Sequence, residues 1–265
     1  MPIADLGDVQ LHYRQRGDGP TVLGVMGFAL DQRYWAAQIP AVTATHSFLT
    51  FDNRGTGRSS PGTVTSIDEM ADDAVRLLDH LDIERAVLFG VSMGGAIAQR
   101  LVLDHPERVS ALILGITWAR PTEFMRRQNA VGRRLAALGT DALVDATLVR
   151  MFTPRFFELG QEAVDRMVAS FTTDSGPAMP GADVLTAQLD AIDKHDVLAE
   201  LGRVSCPTLV FGAHMDVMVP FFASEEIAAA IPGAELAAFE TGHGCMVEEM
   251  DAVNERIARF LGGLT

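Results

Sequence analysis

Lysine is almost missing from this chain: of its 21 basic residues only Lys194 is not an arginine. Against 35 acidic residues this leaves a formal net charge of −14. A nucleic-acid partner demands a basic face that displaces counterions from phosphates, and the sequence offers none. The same deficit disfavours anionic membrane surfaces. Bulk acidity otherwise keeps a protein soluble and says little about its substrate. Cysteine is scarce too. Cys206 precedes one predicted strand and Cys245 follows another, which puts them at opposite ends of a sheet and out of disulfide range. Two unpaired thiols fit a reducing compartment. No apolar run approaches the roughly 18–20 residues of a membrane-spanning helix. The start, Met1-Pro2-Ile3-Ala4-Asp5, lacks the basic and apolar regions of a secretory signal, so the cytoplasm is the expected location. His12, His46, His80, His105 and His195 are scattered, without the close spacing a metal needs. Neither a phosphate loop ending in Lys-Ser/Thr nor a G-x-G-x-x-G after the first strands occurs. Neither metal nor cofactor is therefore expected.

What the chain does have is Gly90-Val91-Ser92-Met93-Gly94, set between the apolar run Ala86–Phe89 and the helical pattern from Ala96 to Leu101. A G-x-S-x-G between strand and helix reads as a nucleophile elbow. The turn is so sharp that side chains two residues before and after the serine would collide, which leaves glycine. The hydroxyl then stands at the tip of the turn beside the first amides of a helix. Asp216 lies just past the run Thr208–Gly212, and His243 lies in Thr241-Gly242-His243-Gly244, just past Leu236–Phe239. All three residues sit at predicted strand ends, the edge on which open α/β sheets carry their sites. A serine hydroxyl is a poor nucleophile until an imidazole takes its proton and a carboxylate orients that imidazole. Ser92, Asp216 and His243 are the candidate catalytic set.

At 265 residues and 48% apolar composition, the chain suits one α/β domain with an insertion. Strand and helix patterns alternate through the first half: strands at Val9–Arg16, Thr21–Val25, Ser47–Phe51, Arg85–Val91 and Val109–Ile116, and helices at Trp35–Val42, Ser66–Leu81 and Met93–Asp104. From 119 to 194 only helices are predicted: Pro121–Leu138, Thr140–Phe152, one opened by Thr153-Pro154 as cap and first position, and Ala182–Ile192, with a loop at 175–181. Alternation resumes with Thr208–Gly212, Pro220–Ala230, Ala234–Phe239 and Val247–Leu261. The expected organisation is a core from 1–118 and 195–265, with a helical lid at 119–194 closing over Ser92.

Over essentially its whole length the chain resembles the α/β-hydrolase superfamily. Besides the elbow, Asp52-Asn53-Arg54-Gly55-Thr56-Gly57-Arg58-Ser59 resembles that family's D-x-R-G-x-G-x-S turn, and Cys206–Val210, Asp216 with Pro220, and Gly242-His243 have its usual form. The resemblance implies an α/β-hydrolase fold: eight strands, mostly parallel with the first pair antiparallel, helices on both faces, and a helical lid inserted after the sixth strand. It also implies an oxyanion hole from two backbone amides, those of Met93 and Phe28. Met26 stands where the family usually has histidine before Gly27. Gln32–Pro40 and the Asp52–Ser59 loop are most similar to small esterases and 3-oxoadipate enol-lactonases. An epoxide hydrolase or dehalogenase would need an aspartate at Ser92.

The expected activity is hydrolysis of a small-molecule ester or lactone, small to medium and largely apolar, through an acyl-enzyme. Trp118, Phe124 and Phe152 are the candidate pocket residues, drawn from a lid region rich in Phe and Met. Arg120, Arg126 and Arg127 read as solvated charge, or as ligands should the substrate carry a carboxylate. An enol-lactonase acting on such a lactone, a C–C bond hydrolase and a ligand-sensing homologue remain open.

Overall fold

Neighbouring residues along each central strand part into two separate cores. Leu23, Val25, Leu88, Leu112, Leu114 and Val210 belong to one. Val22, Val87, Phe89, Ala111, Ile113, Leu209 and Phe211 belong to the other. A side-chain period of two puts adjacent residues on opposite faces, so strands apolar throughout must be covered on both. The computed structural model, which describes residues 2–60, 64, 66–172 and 179–264, shows how. Strands β1 (Ile3–Asp5), β2 (Gln10–Arg16), β3 (Thr21–Val25), β4 (Ser47–Phe51), β5 (Ala86–Val91), β6 (Val109–Gly115), β7 (Thr208–Ala213) and β8 (Glu235–Phe239) form one sheet in the order β1-β2-β4-β3-β5-β6-β7-β8. Pairing is antiparallel for β1–β2 and β2–β4 and parallel elsewhere.

The helices follow in chain order: α1 (Ile39–Thr43), α2 (Ile67–His80) and α3 (Met93–Asp104); then α4 (Glu123–Leu138), α5 (Thr140–Met151), α6 (Pro154–Phe157), α7 (Gln161–Thr172) and α8 (Ala182–Lys194), all between β6 and β7; then α9 (Phe222–Ala230), α10 (Cys245–Glu248) and α11 (Met250–Gly262). Residues of α2, α3 and α9 fill the first core, among them Met70, Leu77, Ile97, Leu101 and Ile227. Trp35 and the α11 residues Val253, Ile257 and Phe260 fill the second. The Ser66 hydroxyl caps α2 by accepting from Glu69 N–H at 3.1 Å, which satisfies one of the free amides of a helix start.

Several boundaries differ from the sequence patterns. β1 is too short to show a period. The helix expected over Trp35–Val42 is a 3₁₀ turn, Gln32–Trp35, followed by a fresh start at α1. Pro40 imposes the restart, since a residue without an N–H is tolerated only in a first turn. Thr153-Pro154 opens only the single turn α6; Gly160, at φ +93°, separates it from α7. Thr153 does not cap by its side chain and instead donates to Glu248. The last helix divides at Glu249 into α10 and α11. Residues 175–178 of the loop expected at 175–181 lie outside the described residues. Cys206 and Cys245 are free thiols. Among the described residues no helix is long and apolar enough to cross a membrane, and no group of three His, Cys, Asp or Glu side chains could hold a metal ion.

Candidate active site

Ser92 joins β5 to α3 at φ +53°, ψ −123°, a backbone region that L-residues with side chains avoid. Crowding around it explains both flanking glycines. A β-carbon on Gly90 would lie 2.3 Å from the carbonyl oxygen of Gly94, and one on Gly94 would lie 2.0 Å from that of Val25. The strained turn is braced by β6 and its end: Ser92 N–H donates to Gly115 O at 2.9 Å, and Thr117 Oγ1 donates to Ser92 O at 2.7 Å.

Ser92 Oγ lies 3.1 Å from His243 Nε2, and His243 Nδ1 lies 2.7 Å from Asp216 Oδ2. The other oxygen of Asp216 accepts the N–H groups of Met218 at 2.7 Å and Val219 at 2.8 Å. The carboxylate is thereby fixed, with one oxygen left for the imidazole. Both side chains are buried. Such a relay can carry a proton from serine to histidine while the carboxylate stabilises the imidazolium. The loop of His243 rests on the end of α5. Gly244 N–H donates to Met151 O at 2.7 Å, and a β-carbon on Gly244 would come within 2.4 Å of Phe152 Cε1. Glu248, one turn on, accepts from Thr153 N–H at 3.1 Å.

The Met26-Gly27-Phe28 loop passes beside the serine: a β-carbon on Gly27 would sit 3.1 Å from Ser92 Cβ. Met93 N–H is the first amide of α3, one of four that a helix cannot satisfy internally. The loop is held from two sides. Asn53 Nδ2 donates to Met26 O at 2.9 Å. Ala29, at φ +62°, donates its N–H to Gln188 Oε1 at 3.0 Å, and Gln188 Nε2 donates to Thr56 Oγ1 at 3.2 Å. Gln188 is fully buried on α8 and sequence reasoning missed it. The signal was there: a lone amide on the apolar face formed by Leu185, Leu189 and Ile192 must have a partner.

A cavity of about 440 Å³ opens in front of Ser92 and His243, walled by Phe152 and Phe156 and by the methionines Met26, Met151, Met167, Met179, Met218 and Met246. A smaller compartment of about 70 Å³ shares Phe28, Ser92 and His243 with it and is closed by Trp118, Met125, Thr147 and Arg150. Of the three candidate pocket residues, Phe152 walls the large cavity and Trp118 the small one. Phe124 walls neither and is 52% exposed. One residue advances a helix by about 100°, so Met125 takes the inward position on α4 and Phe124 shares the solvent face with Glu123 and Arg127. Arg120 and Arg127 are also outside, paired with Glu226 and Glu123, and Arg126 is exposed. Cys245 packs in the second core, where burial pushes its thiol pKa well up, so its neighbour His243 does not make it a nucleophile.

A family model described as the alpha/beta hydrolase fold matches residues 20–249. The chain belongs to the α/β-hydrolase family. A relative from Azorhizobium caulinodans, named "Putative carbamate hydrolase RutD", is 34% identical over 99% of this chain and 98% of its own length. The enol-lactonase from Burkholderia xenovorans LB400 has a solved structure that superposes with a TM-score of 0.88 at 28% identity, covering 98% of this chain and 100% of that one. A thermophilic esterase from Thermogutta terrifontis does so with a TM-score of 0.86 at 28% identity, covering 98% and 96%. Like other α/β-hydrolases, this chain is a hydrolase, and its sheet and helices are those the sequence resemblance implied.

Proposed function

We propose that this α/β-hydrolase cleaves a carboxylic ester or lactone of a small to medium, largely apolar molecule through an acyl-enzyme on Ser92. The hydrogen-bonded chain Ser92–His243–Asp216 at the mouth of an apolar cavity carries the reading. His243 takes the serine proton as Ser92 Oγ attacks the carbonyl carbon, then returns it to the departing alcohol. The same imidazole draws a proton from water in the second half, and Asp216 holds it throughout. The amides of Met93 and Phe28 receive the developing negative charge, each such donor contributing about 3 kcal/mol in the transition state. The insertion at 119–194 acts as the lid, a reading supported by Met151, Phe152 and Phe156, which wall the cavity that Ser92 also lines. The two free thiols suit a cytoplasmic enzyme. A carbamate is a second reading, favoured by the name of the Azorhizobium relative; Ser92 would attack its carbonyl in the same way.

A panel of p-nitrophenyl esters, lactones, methyl esters and an aryl carbamate tests both readings. Each buried methylene contributes about 0.8 kcal/mol, so each two-carbon extension of the alkyl chain on the apolar side of the scissile bond should raise kcat/KM about tenfold until the cavity is full. Ser92→Ala should lower turnover on the order of a million-fold and abolish fluorophosphonate labelling. Wild-type ester turnover in that variant would sink the mechanism. Turnover of the carbamate alone would favour the second reading, and tight binding with negligible turnover throughout would mark a sensor.

A further inference from the structure

Helix α5 lays two adjacent stripes against the site. Val144, Thr147 and Met151 face the large apolar cavity, while Leu143, Thr147 and Arg150 face the small compartment. Three arginines wall these spaces, and two are neutralised by their own partners. Arg33 is held by both carboxylate oxygens of Asp31, and Arg166 by Glu162. Arg150 is different. Its Nε donates to Ala146 O at 2.8 Å, which leaves four of its five N–H donors. Among the described residues no carboxylate pairs with it. Burial lowers its pKa, with no carboxylate raising it again, whereas carboxylates raise that of Arg33. Of the side-chain amides around the small compartment, Gln128 donates to the carbonyls of Val217 and Met218, and Asn129 donates to Asp193. A half-buried, unpaired guanidinium is costly, and an apolar side chain at this place would serve the fold better. The compartment, at about 70 Å³, has room for several heavy atoms and opens onto Ser92.

We propose that the substrate is an amphipathic monoanion whose apolar part fills the large cavity while a short arm ending in a carboxylate enters the small compartment and is bound by Arg150. The proposal rests on the reading that Ser92 attacks the carbonyl lying between the two parts. It narrows that reading to esters that are apolar on one side of the scissile bond and anionic on the other.

Two hexyl esters matched in shape test it: the monoester of succinate, which carries the carboxylate, and hexyl 4-oxopentanoate, in which a methyl ketone replaces it. The wild-type enzyme should prefer the succinate monoester by about tenfold or more in kcat/KM, the usual yield of a hydrogen-bonded charge. Arg150→Met should bring the two esters to near parity, and Arg150→Lys should keep much of the preference. The thermal midpoint of Arg150→Met should equal or exceed that of the wild type, which separates lost recognition from lost folding. Parity in the wild type, or a preference that survives Arg150→Met, overturns the proposal. Should neither ester turn over, the ester reading fails and calorimetry decides the subsite: Ser92→Ala must still bind the succinate monoester more tightly than the ketone, and only while Arg150 is present. Equal binding overturns it.

Discussion

Gln188 and Ala29 are 159 residues apart in the chain and 3.0 Å apart in the fold. Their hydrogen bond holds a residue at positive φ next to the amide of Phe28, so in the proposed mechanism Gln188 positions the loop that would face the reacting carbonyl. Replacing it with leucine would leave Ala29 N–H and Thr56 without their buried partner, at a cost of about 1–3 kcal/mol in stability. In that mechanism oxyanion amides act in the transition state rather than on bound substrate. Gln188→Leu should therefore lower kcat on a butyrate ester by about tenfold with little change in KM; an unchanged kcat would restrict Gln188 to a structural role. Ser92, Asp216 and His243 were legible in sequence because each stands at a strand end beside glycine or turn residues, a local signature. Gln188 was legible only as a buried amide in need of a partner, since nothing near it in the chain names that partner. Arg150 was equally hidden: a charge on a helix reads as solvated until the neighbouring elements show no counter-charge.

At the scale of elements, the insertion and the histidine loop are fastened together. Gly244 touches the end of α5, and Glu248 at the end of α10 receives Thr153 from the start of α6. Gly244→Ala would force Phe152 aside at a cost of about 1–3 kcal/mol and would shift the loop that aims His243. Activity should fall further than the loss of folded protein explains, as active-site titration against a thermal-melt series would show; activity that tracks the folded fraction would break the link. The central strands β3 to β7 were legible because their apolar runs are bounded by turns, and α2 because Ser66 and Glu69 announce its start; β1, at three residues, was not. The insertion was legible as helices but not as an arrangement. Choosing Met125 over Phe124 as the inward residue, or ending α6 after one turn, depends on what lies opposite.

At the scale of the whole molecule, His195 stands where the insertion returns to the sheet domain. It is 5% exposed, its Nε2 has no partner among the described residues, and burial aided by the charge of Arg100 pushes its pKa down to about 4 from the usual 6.5. The unfolded chain therefore takes up this proton first as pH falls. Above about pH 6.5 both states are neutral and the group has no effect. Between 6.5 and 4 stability is progressively lost, and below 4 the loss is complete at roughly 3 kcal/mol. His195→Leu should recover about 2 kcal/mol relative to the wild type at pH 5 while gaining nothing from this source at pH 8. Denaturant melts at the two pH values would show it; an equal difference at both would remove His195 as a source of acid sensitivity.

The six methionines around the large cavity have a consequence for how the protein ages. Unbranched thioethers turn about three bonds and let a wall reshape itself around differing guests. Each is also a site at which peroxide adds an oxygen and makes an apolar surface polar. A tolerant pocket and vulnerability to oxidants would thus share one origin. Mild peroxide should blunt hydrolysis of esters with long alkyl chains before those with short ones, and methionine sulfoxide reductase should restore it; equal losses on the two would locate the damage elsewhere.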